Sequence, residues 1–377
     1  MKQNKLKVNV IIFFALLVLL PIITIILPKR EFSENENRYL ETFPKPSVTT
    51  ITDKSFMNDF ESFFSDHFLF REGWIQLKNG IELLTNKKDI NNVYITNDRL
   101  IEHQSIKDQK LAEENINAIN AFVKKYHIPS YLMVVPTAEA IYSDSLPINA
   151  PHLDQKAIID EIYAKAEKSI GCIDIFTPLL SYKKQYIYYN TDHHWTSLGA
   201  YHGYFSSASQ LGFSPLELGK FHVQHASHDF QGTLYSKTLY ENVKKDMIDL
   251  YTLSAEESDV TVTVKSGKKE TEYDSIFFRD YLNKKDKYCV YMGQNEPCIT
   301  VKTNVSNGKK LLLVKDSYAH SMMQFYIHHY SEITMIDLRY FTSLDQYITI
   351  DDYDQILFVY NFASMTGDSN IKKLSKF

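Results

Sequence analysis

The chain has 377 residues, enough for one large domain or two modest ones, and its 44% hydrophobic and 14% aromatic content excludes a mainly disordered protein. Lys and Arg number 41 against 46 Asp and Glu, a net charge of −5 that excludes the basic surface nucleic-acid binding requires. Tyr (26) and Phe (23) far outnumber the 2 Trp, a bias that reads first as core filling and second as carbohydrate-facing surface. Cys172, Cys289 and Cys298 give no disulfide framework and no metal-ligand spacing. Cys289 and Cys298 either pair across a hairpin or stand as isolated buried thiols.

Residues 8–28, VNVIIFFALLVLLPIITIILP, carry no charge. At about 1.5 Å per residue they span a hydrocarbon core of about 30 Å. Lys2, Lys5 and Lys7 precede them, so the positive-inside rule leaves the short tail in the cytoplasm and the bulk of the chain outside. Lys29 and Arg30 weaken that asymmetry. No A-x-A-like site follows, so the segment reads as an uncleaved signal anchor, with Pro21 tolerated inside it. From Lys29 to about Thr52 the chain is polar, with Pro44 and Pro46, and reads as an extended stalk. Residues 53–67 place Phe56, Phe60, Phe63 and Phe64 at helical spacing. That amphipathic helix lies on the membrane or, as its acidic polar face favours, packs on the domain. The expected division is 1–30 for tail and anchor, 31–90 for stalk and amphipathic helix, and 91–377 for the main domain.

Within the main domain a helix is expected over 107–126, a strand over 131–136, a helix over 155–169 and a strand, CIDIF, over 172–176. This alternation is the α/β signature. NTDHHW then enters a helix whose start is marked by Thr196 and Ser197. Residues 217–300 read as a β-rich insertion, with a strand-like run at 259–266 and a hairpin-like stretch at 288–303. The C-terminal part reads as βαβαβ: a strand at 309–316, a helix at 317–330, a strand at 332–338, a helix around 343–349 and a strand at 355–361.

Ser317 sits where the apolar strand core Leu311–Val314 turns into a helix, the edge of an α/β sheet at which sites form. Backbone N–H groups of a first helical turn can bind an oxyanion there. Ser317 alone also reads as an N-cap, a role Asp316 fills equally well. Asp192-His193-His194-Trp195 shifts the balance, because a serine hydroxyl needs a base and the base needs an acidic partner. Residues two apart in an extended loop share a side, which lets His194 act as base and Asp192 as its orienter. The same Asp and His suit a metal, completed by His202 or by His328 and His329. Asn361, closing the last strand, is either an oxyanion donor or a strand end. Gly293 and Asn295 either admit the backbone and a second amide to the site or form a plain turn. Arg339 either holds a substrate carboxylate or acyl donor, or is a surface residue. Thr137 and Glu139 follow the strand end at Pro136.

TDHHW, then LLLVKDSYAHS and MIDLRYF, resembles the DHHW family, which is similar to the alginate O-acetylation proteins with an SGNH-hydrolase-like domain. FSENENRYLETFPKPS, MVVPTAEAIYSDSLP, DFQGTLYSK and YMGQNEP extend the resemblance over nearly the whole chain. It implies an SGNH-like three-layer α/β/α sandwich with permuted blocks, the Asp/His pair preceding the serine. Carried over residue by residue, Ser317 is the nucleophile, His194 the base and Asp192 its partner. Lys315-Asp316-Ser317 replaces the usual Gly-Asp-Ser, which puts one backbone approach in doubt. The implied activity is O-acetyl transfer or acetyl-ester hydrolysis on a cell-envelope or secreted polysaccharide, with no separate cofactor and no metal. A multi-pass membrane O-acyltransferase is the implied donor partner. Two readings from other classes stand beside it: a non-catalytic polysaccharide-binding or assembly protein, and a metal-dependent hydrolase using Asp192 and His194.

Overall fold

The computed structural model describes all residues except 1, 37, 109, 255–256, 258 and 341–346. The chain divides into two compact units, Met1–Asn91 with Tyr235–Asn242, and Asn92–Leu234 with Val243–Phe377.

The first unit opens with helix α1 (Lys2–Ile26), whose stretch Val8–Ile26 has a mean hydropathy of 2.9 and is long and apolar enough to cross a membrane. Helices α2 (Ser55–His67) and α3 (Arg71–Leu84) follow. The segment between α1 and α2 is tied down rather than loose: the Arg38 guanidinium grips both Asp66 carboxylate oxygens, at 2.9 and 2.5 Å. Phe63 of α2 is buried against Phe43, with ring centroids 5.3 Å apart. Within this unit the expected phenylalanine helix therefore packs its inner edge on its own chain.

The second unit is built on helices α4 (Leu111–Tyr126), α5 (Gln155–Lys165) and α6 (Ser197–Leu211). Besides a short antiparallel pair, Val93–Ile95 with Leu100–Glu102, its strands are β1 (Ser130–Val135), β2 (Ile170–Cys172), β3 (His222–Phe230), β4 (Asp246–Thr252), β5 (Val260–Ser266), β6 (Lys269–Tyr273), β7 (Cys298–Thr303), β8 (Lys310–Lys315), β9 (Glu332–Ile336) and β10 (Gln355–Asn361). Eight of them form one sheet in the order β6-β5-β7-β9-β8-β10-β1-β2. The run from β9 to β2 is parallel, and β7, β5 and β6 extend it antiparallel. β3 and β4 form a separate antiparallel pair.

Period-two alternation splits the parallel strands between two cores. Met133, Leu311, Leu313, Met335, Leu357 and Val359 face one side, with Ala200, Tyr201 and Tyr204 of α6. Leu132, Leu312, Val314, Ile336, Ile356 and Phe358 face the other, with Ile116, Ile119 and Phe122 of α4 and Ile159 of α5. The result is a mixed α/β fold with a large central sheet covered on both faces. α4 has Glu113 and Glu114 in its first turn and Lys124 and Lys125 in its last, complementing the helix dipole. The Thr196 hydroxyl caps α6 by accepting from Gly199 N at 3.2 Å, as the sequence signal suggests.

Several expected elements differ. The strand at 172–176 ends at Cys172, because Asp174 accepts from Thr177 N at 3.3 Å and turns the chain into the helix Phe176–Ser181. The stretch 288–303 is no hairpin: Lys287–Val290 is a 3-10 turn, and only Cys298–Thr303 is a strand, paired with β5 and β9. All three cysteines are free. Much of the β-rich insertion belongs to the main sheet rather than to a body of its own. Residues 317–330 form a 3-10 turn, Ser317–Met322, and one α turn, Met323–Tyr326. That segment is enclosed on nearly all sides, so no exposed face imposes a 3.6-residue period. Of the helix expected at 343–349, residues 343–346 lie outside the described residues and 347–349 are non-helical.

Candidate active site

β8 delivers Ser317 to the carboxyl edge of the parallel strands. The cap of the turn that follows is Asp316, whose Oδ1 accepts from Tyr318 N at 2.9 Å and whose Oδ2 accepts from Asn361 N at 2.7 Å. Ser317 is thereby released from capping. Its Oγ lies 2.7 Å from His194 Nε2, and His194 Nδ1 lies 2.6 Å from Asp192 Oδ1. Donation runs from Ser317 Oγ–H to Nε2 and from Nδ1–H to the carboxylate, the tautomer that leaves Nε2 free to take a proton.

The Asp192 carboxylate is held at four points. Oδ1 also accepts from His194 N at 3.0 Å, and Oδ2 accepts from Thr233 N at 2.8 Å and Thr233 Oγ1 at 3.0 Å. Burial alone would raise this carboxyl, but the neighbouring histidines and these hydrogen bonds hold it well below the usual carboxylate range. Burial and the charge of His193 pull His194 down to about 4, against the opposing effect of Asp192. His194 is therefore neutral at neutral pH. The Tyr288 ring stacks on His194 with centroids 3.8 Å apart and a 7° interplanar angle, fixing the imidazole plane.

A Cβ on Gly232 would stand 2.2 Å from Asp192 Oδ2 and 2.4 Å from Asp192 Cβ. No side chain fits there without displacing the carboxylate. Gly232→Ala is expected to lower kcat/KM for a soluble ester by about 10²-fold, the cost of roughly 1 Å of misplacement. Far-ultraviolet circular dichroism should stay native; wild-type rates in a folded G232A protein would remove Asp192 from the chemistry.

Compared with known protein families, residues 84–336 match that of the DHHW protein. The chain belongs to the DHHW family. The four letters stand here as Asp192, His193, His194 and Trp195. A crystal structure of a DHHW family protein from Eubacterium siraeum is 25% identical, with a TM-score of 0.65, covering 76% of this chain and 96% of that one. Bacillus cereus PatB1 shares the fold at 21% identity and a TM-score of 0.63, covering 74% and 98%, and has also been solved with a sulfonyl adduct. A more distant likeness is to the O-acetyltransferase domain of Pseudomonas putida AlgJ, at 13% identity and a TM-score of 0.47, covering 76% and 99%. No curated protein matches the chain.

The rest of the DHHW loop is structural support. Trp195 is fully buried; its Nε1 donates to Tyr318 O at 2.9 Å, tying this loop to the serine segment. The Tyr318 hydroxyl returns the tie by donating to His193 O. Asp246 of β4 accepts from Asn190 N and Thr191 N, each at 2.7 Å, and from the Thr191 hydroxyl at 2.5 Å. It thus orders the approach to Asp192.

The remaining expected site residues fall into two groups. Asn361 caps the helix Phe362–Gly367 with Oδ1, which accepts from Ser364 N at 2.9 Å, and leaves its amide nitrogen as a donor. It lines a cavity of about 40 Å³ with Thr137, Glu139, His193 and Tyr318. Asn295 and Arg339 instead join a network around the buried Lys315, Asn295 directly and Arg339 through Asp337. Lys315 Nζ donates to Asn295 Oδ1 at 3.1 Å and to His320 Nε2 at 2.6 Å, and pairs with Asp337 at 3.3 Å. Arg339 clamps Asp337 with Nε at 2.9 Å and Nη2 at 2.6 Å. Gly293 adopts φ 76°, and its N–H is bonded to Cys289 O at 3.0 Å, so it offers no free oxyanion donor.

One donor atom each from Asp192, His193 and His194 lies within 4.8 Å of the others, a spacing that fits a metal ion. The hydrogen bonds argue for another use: His194 commits both ring nitrogens, to Asp192 and Ser317, and His193 Nδ1 is 2.6 Å from Thr233 Oγ1. Among the described residues His202, His328 and His329 are not part of that cluster. His202 stacks on Tyr182, and His329 Nε2 meets the Tyr204 hydroxyl at 2.7 Å.

Proposed function

We propose that this chain is a membrane-anchored, extracytoplasmic serine acyl-ester enzyme, an O-acetyltransferase or acetylesterase acting on a cell-envelope or secreted polysaccharide. The observation that carries the reading is the unbroken hydrogen-bond chain Ser317–His194–Asp192 at 2.7 and 2.6 Å. The fold is taken as SGNH-like with its blocks permuted. The apolar α1 supports the anchor, and the lysines before it support an outward-facing domain.

In this mechanism His194 Nε2 takes the Ser317 proton as Oγ attacks the acyl carbonyl. The tetrahedral oxyanion meets the Ser317 N–H and the Asn361 amide, since Tyr318 N is already bonded to Asp316. Collapse passes the proton from His194 to the leaving oxygen and leaves acyl-Ser317. A sugar hydroxyl, or water, then gives its proton to His194 and attacks the acyl carbon, and collapse breaks the Oγ–acyl bond while His194 returns that proton to Oγ. Lys315, Asp337 and Arg339, with Asn295, form a charged network next in sequence to the nucleophile segment. The donor is taken to be a protein- or lipid-borne acyl group, supplied beside a multi-pass O-acyltransferase, with no separate cofactor.

The test is turnover of a chromogenic acetyl ester by wild type and His194→Ala, with and without chelator. Turnover lost in the variant and indifferent to chelator is expected. Loss with chelator would transfer Asp192 and His194 to the metal reading that their clustering permits. Acidity supplies a second test. A base must be unprotonated, so kcat/KM should hold steady below neutrality and fall as pH drops through about 4. A midpoint near the ordinary imidazole value of about 6.5 would show that His194 is not desolvated as described.

A further inference from the structure

Taking α1 as a membrane span, we infer that α3 lies in the outer membrane interface, its exposed apolar stripe seated among lipid headgroups and upper acyl chains. Phe70, Trp74, Leu77, Ile81 and Leu84 recur at helical spacing, and all are exposed, from 48% at Trp74 to 88% at Leu84. The opposite face carries the half-buried Ile75 and Leu83 and the buried Asn79, whose side chain donates to Thr238 O at 2.7 Å. The stripe is therefore a second apolar face, additional to the one the first unit uses for its own packing. A patch of this kind on the surface marks an interaction site.

The position of the stripe identifies the occupant. Thr24, in the last turn of α1, is fully buried, and its hydroxyl accepts from Leu69 N at 3.2 Å. Leu69 directly precedes Phe70, the first residue of the stripe. The stripe thus starts at the outer end of the span, where hydrocarbon gives way to headgroups. Trp74 holds the same turn, donating from Nε1 to Leu69 O at 3.0 Å. Tryptophan with large aliphatic neighbours is the composition of that boundary. A coiled coil with a second copy fits less well, since about three to four heptads are the usual minimum and α3 has 14 residues. Lys78, beside the stripe, is paired with Glu82 at 3.1 Å, so apolar burial rather than anionic lipid holds the helix down.

The chain has 2 Trp, and Trp195 is fully buried, so Trp74 is a native reporter. The full-length protein would be reconstituted in phosphatidylcholine vesicles brominated near the headgroup end of the acyl chains, with Trp74→Phe as the Trp195 baseline. Trp74 emission is expected to fall about two-fold in brominated vesicles and to resist iodide, as for a ring roughly 5–10 Å into the interface. Leu77→Ser with Ile81→Ser should reduce the bromine quenching while soluble-ester turnover stays at wild-type level. Gly73 and Gly80 have no atom within 4 Å of a built Cβ, so Gly73→Ala with Gly80→Ala should leave quenching intact. Iodide quenching without bromine quenching would put the stripe in water and overturn the inference. Shielding from both quenchers, or loss of shielding in the glycine variant, would put a protein helix there and overturn it equally. Release of the protein from vesicles by an alkaline wash would instead refute α1 as a span.

Discussion

Ser317→Ala is expected to lower acyl-ester turnover by about 10⁴- to 10⁶-fold, the range seen when the nucleophile of such a triad is removed. The effect should be almost purely chemical. Ser317 does not cap its own turn, because Asp316 accepts from Tyr318 N at 2.9 Å and keeps the 3-10 segment in place. Ser317 Oγ has His194 Nε2 as its partner at 2.7 Å, so its loss leaves one neutral nitrogen unsatisfied at a partly buried site. That costs about 1–3 kcal/mol at most. Thermal denaturation should therefore move by only a few degrees while activity vanishes. A sulfonyl fluoride should label the wild type at Ser317 and leave the variant unmodified. Residual turnover within about ten-fold of wild type, a loss of under about 1.4 kcal/mol in barrier terms, would exclude Ser317 as nucleophile.

Asp192→Asn should cost about 10⁴-fold in kcat/KM, for a different reason. The carboxylate accepts from four donors: His194 Nδ1, His194 N, Thr233 N and Thr233 Oγ1. An asparagine has one acceptor oxygen. Turned toward His194, it keeps the tautomer but points its NH₂ at Thr233 N. Turned toward Thr233, it donates to His194 Nδ1 and drives the imidazole proton onto Nε2, where it blocks acceptance from Ser317. The second arrangement disables the base, and the first keeps it but loses the Thr233 bonds and the negative charge that stabilises the imidazolium. Because the two residues act as a unit, Ser317→Ala with Asp192→Asn should be little worse than Ser317→Ala alone. Multiplicative losses in the double variant would mean that Asp192 acts elsewhere.

The geometry of the Asp192–His194 pair was legible because it is local: two residues of one loop on one side, just before a helix with a threonine cap. The placement of Ser317 rested on the strand Lys310–Lys315, whose apolar run is unambiguous. Which of Asp316 and Ser317 caps the turn was not legible, since both are good caps, and only the bond from Tyr318 N to Asp316 Oδ1 decides it. Thr233, Gly232, Tyr288 and Asp246 reach the site from segments far along the chain, and no local pattern announces such convergence. Gly232 and Thr233 lay inside the DFQGTLYSK block, which marked importance without assigning a task. Lys315 was legible only as the residue that replaces the usual glycine; nothing in the sequence showed that it is fully buried and, through Asp337, shares one network with Asn295 and Arg339. The 3-10 turn at 317–322 was misread as helix for a related reason, because a segment buried on nearly every face carries no periodic signal.

The most direct measurement is to mix the protein with an activated acetyl ester, quench in acid and locate the covalent acetyl group by peptide mass spectrometry. One acetyl group on Ser317, chased off by added acceptor or water and undetectable in His194→Ala, is the expected result. Turnover without any acetyl on Ser317, or an acetyl group found only on other residues, would contradict the serine mechanism.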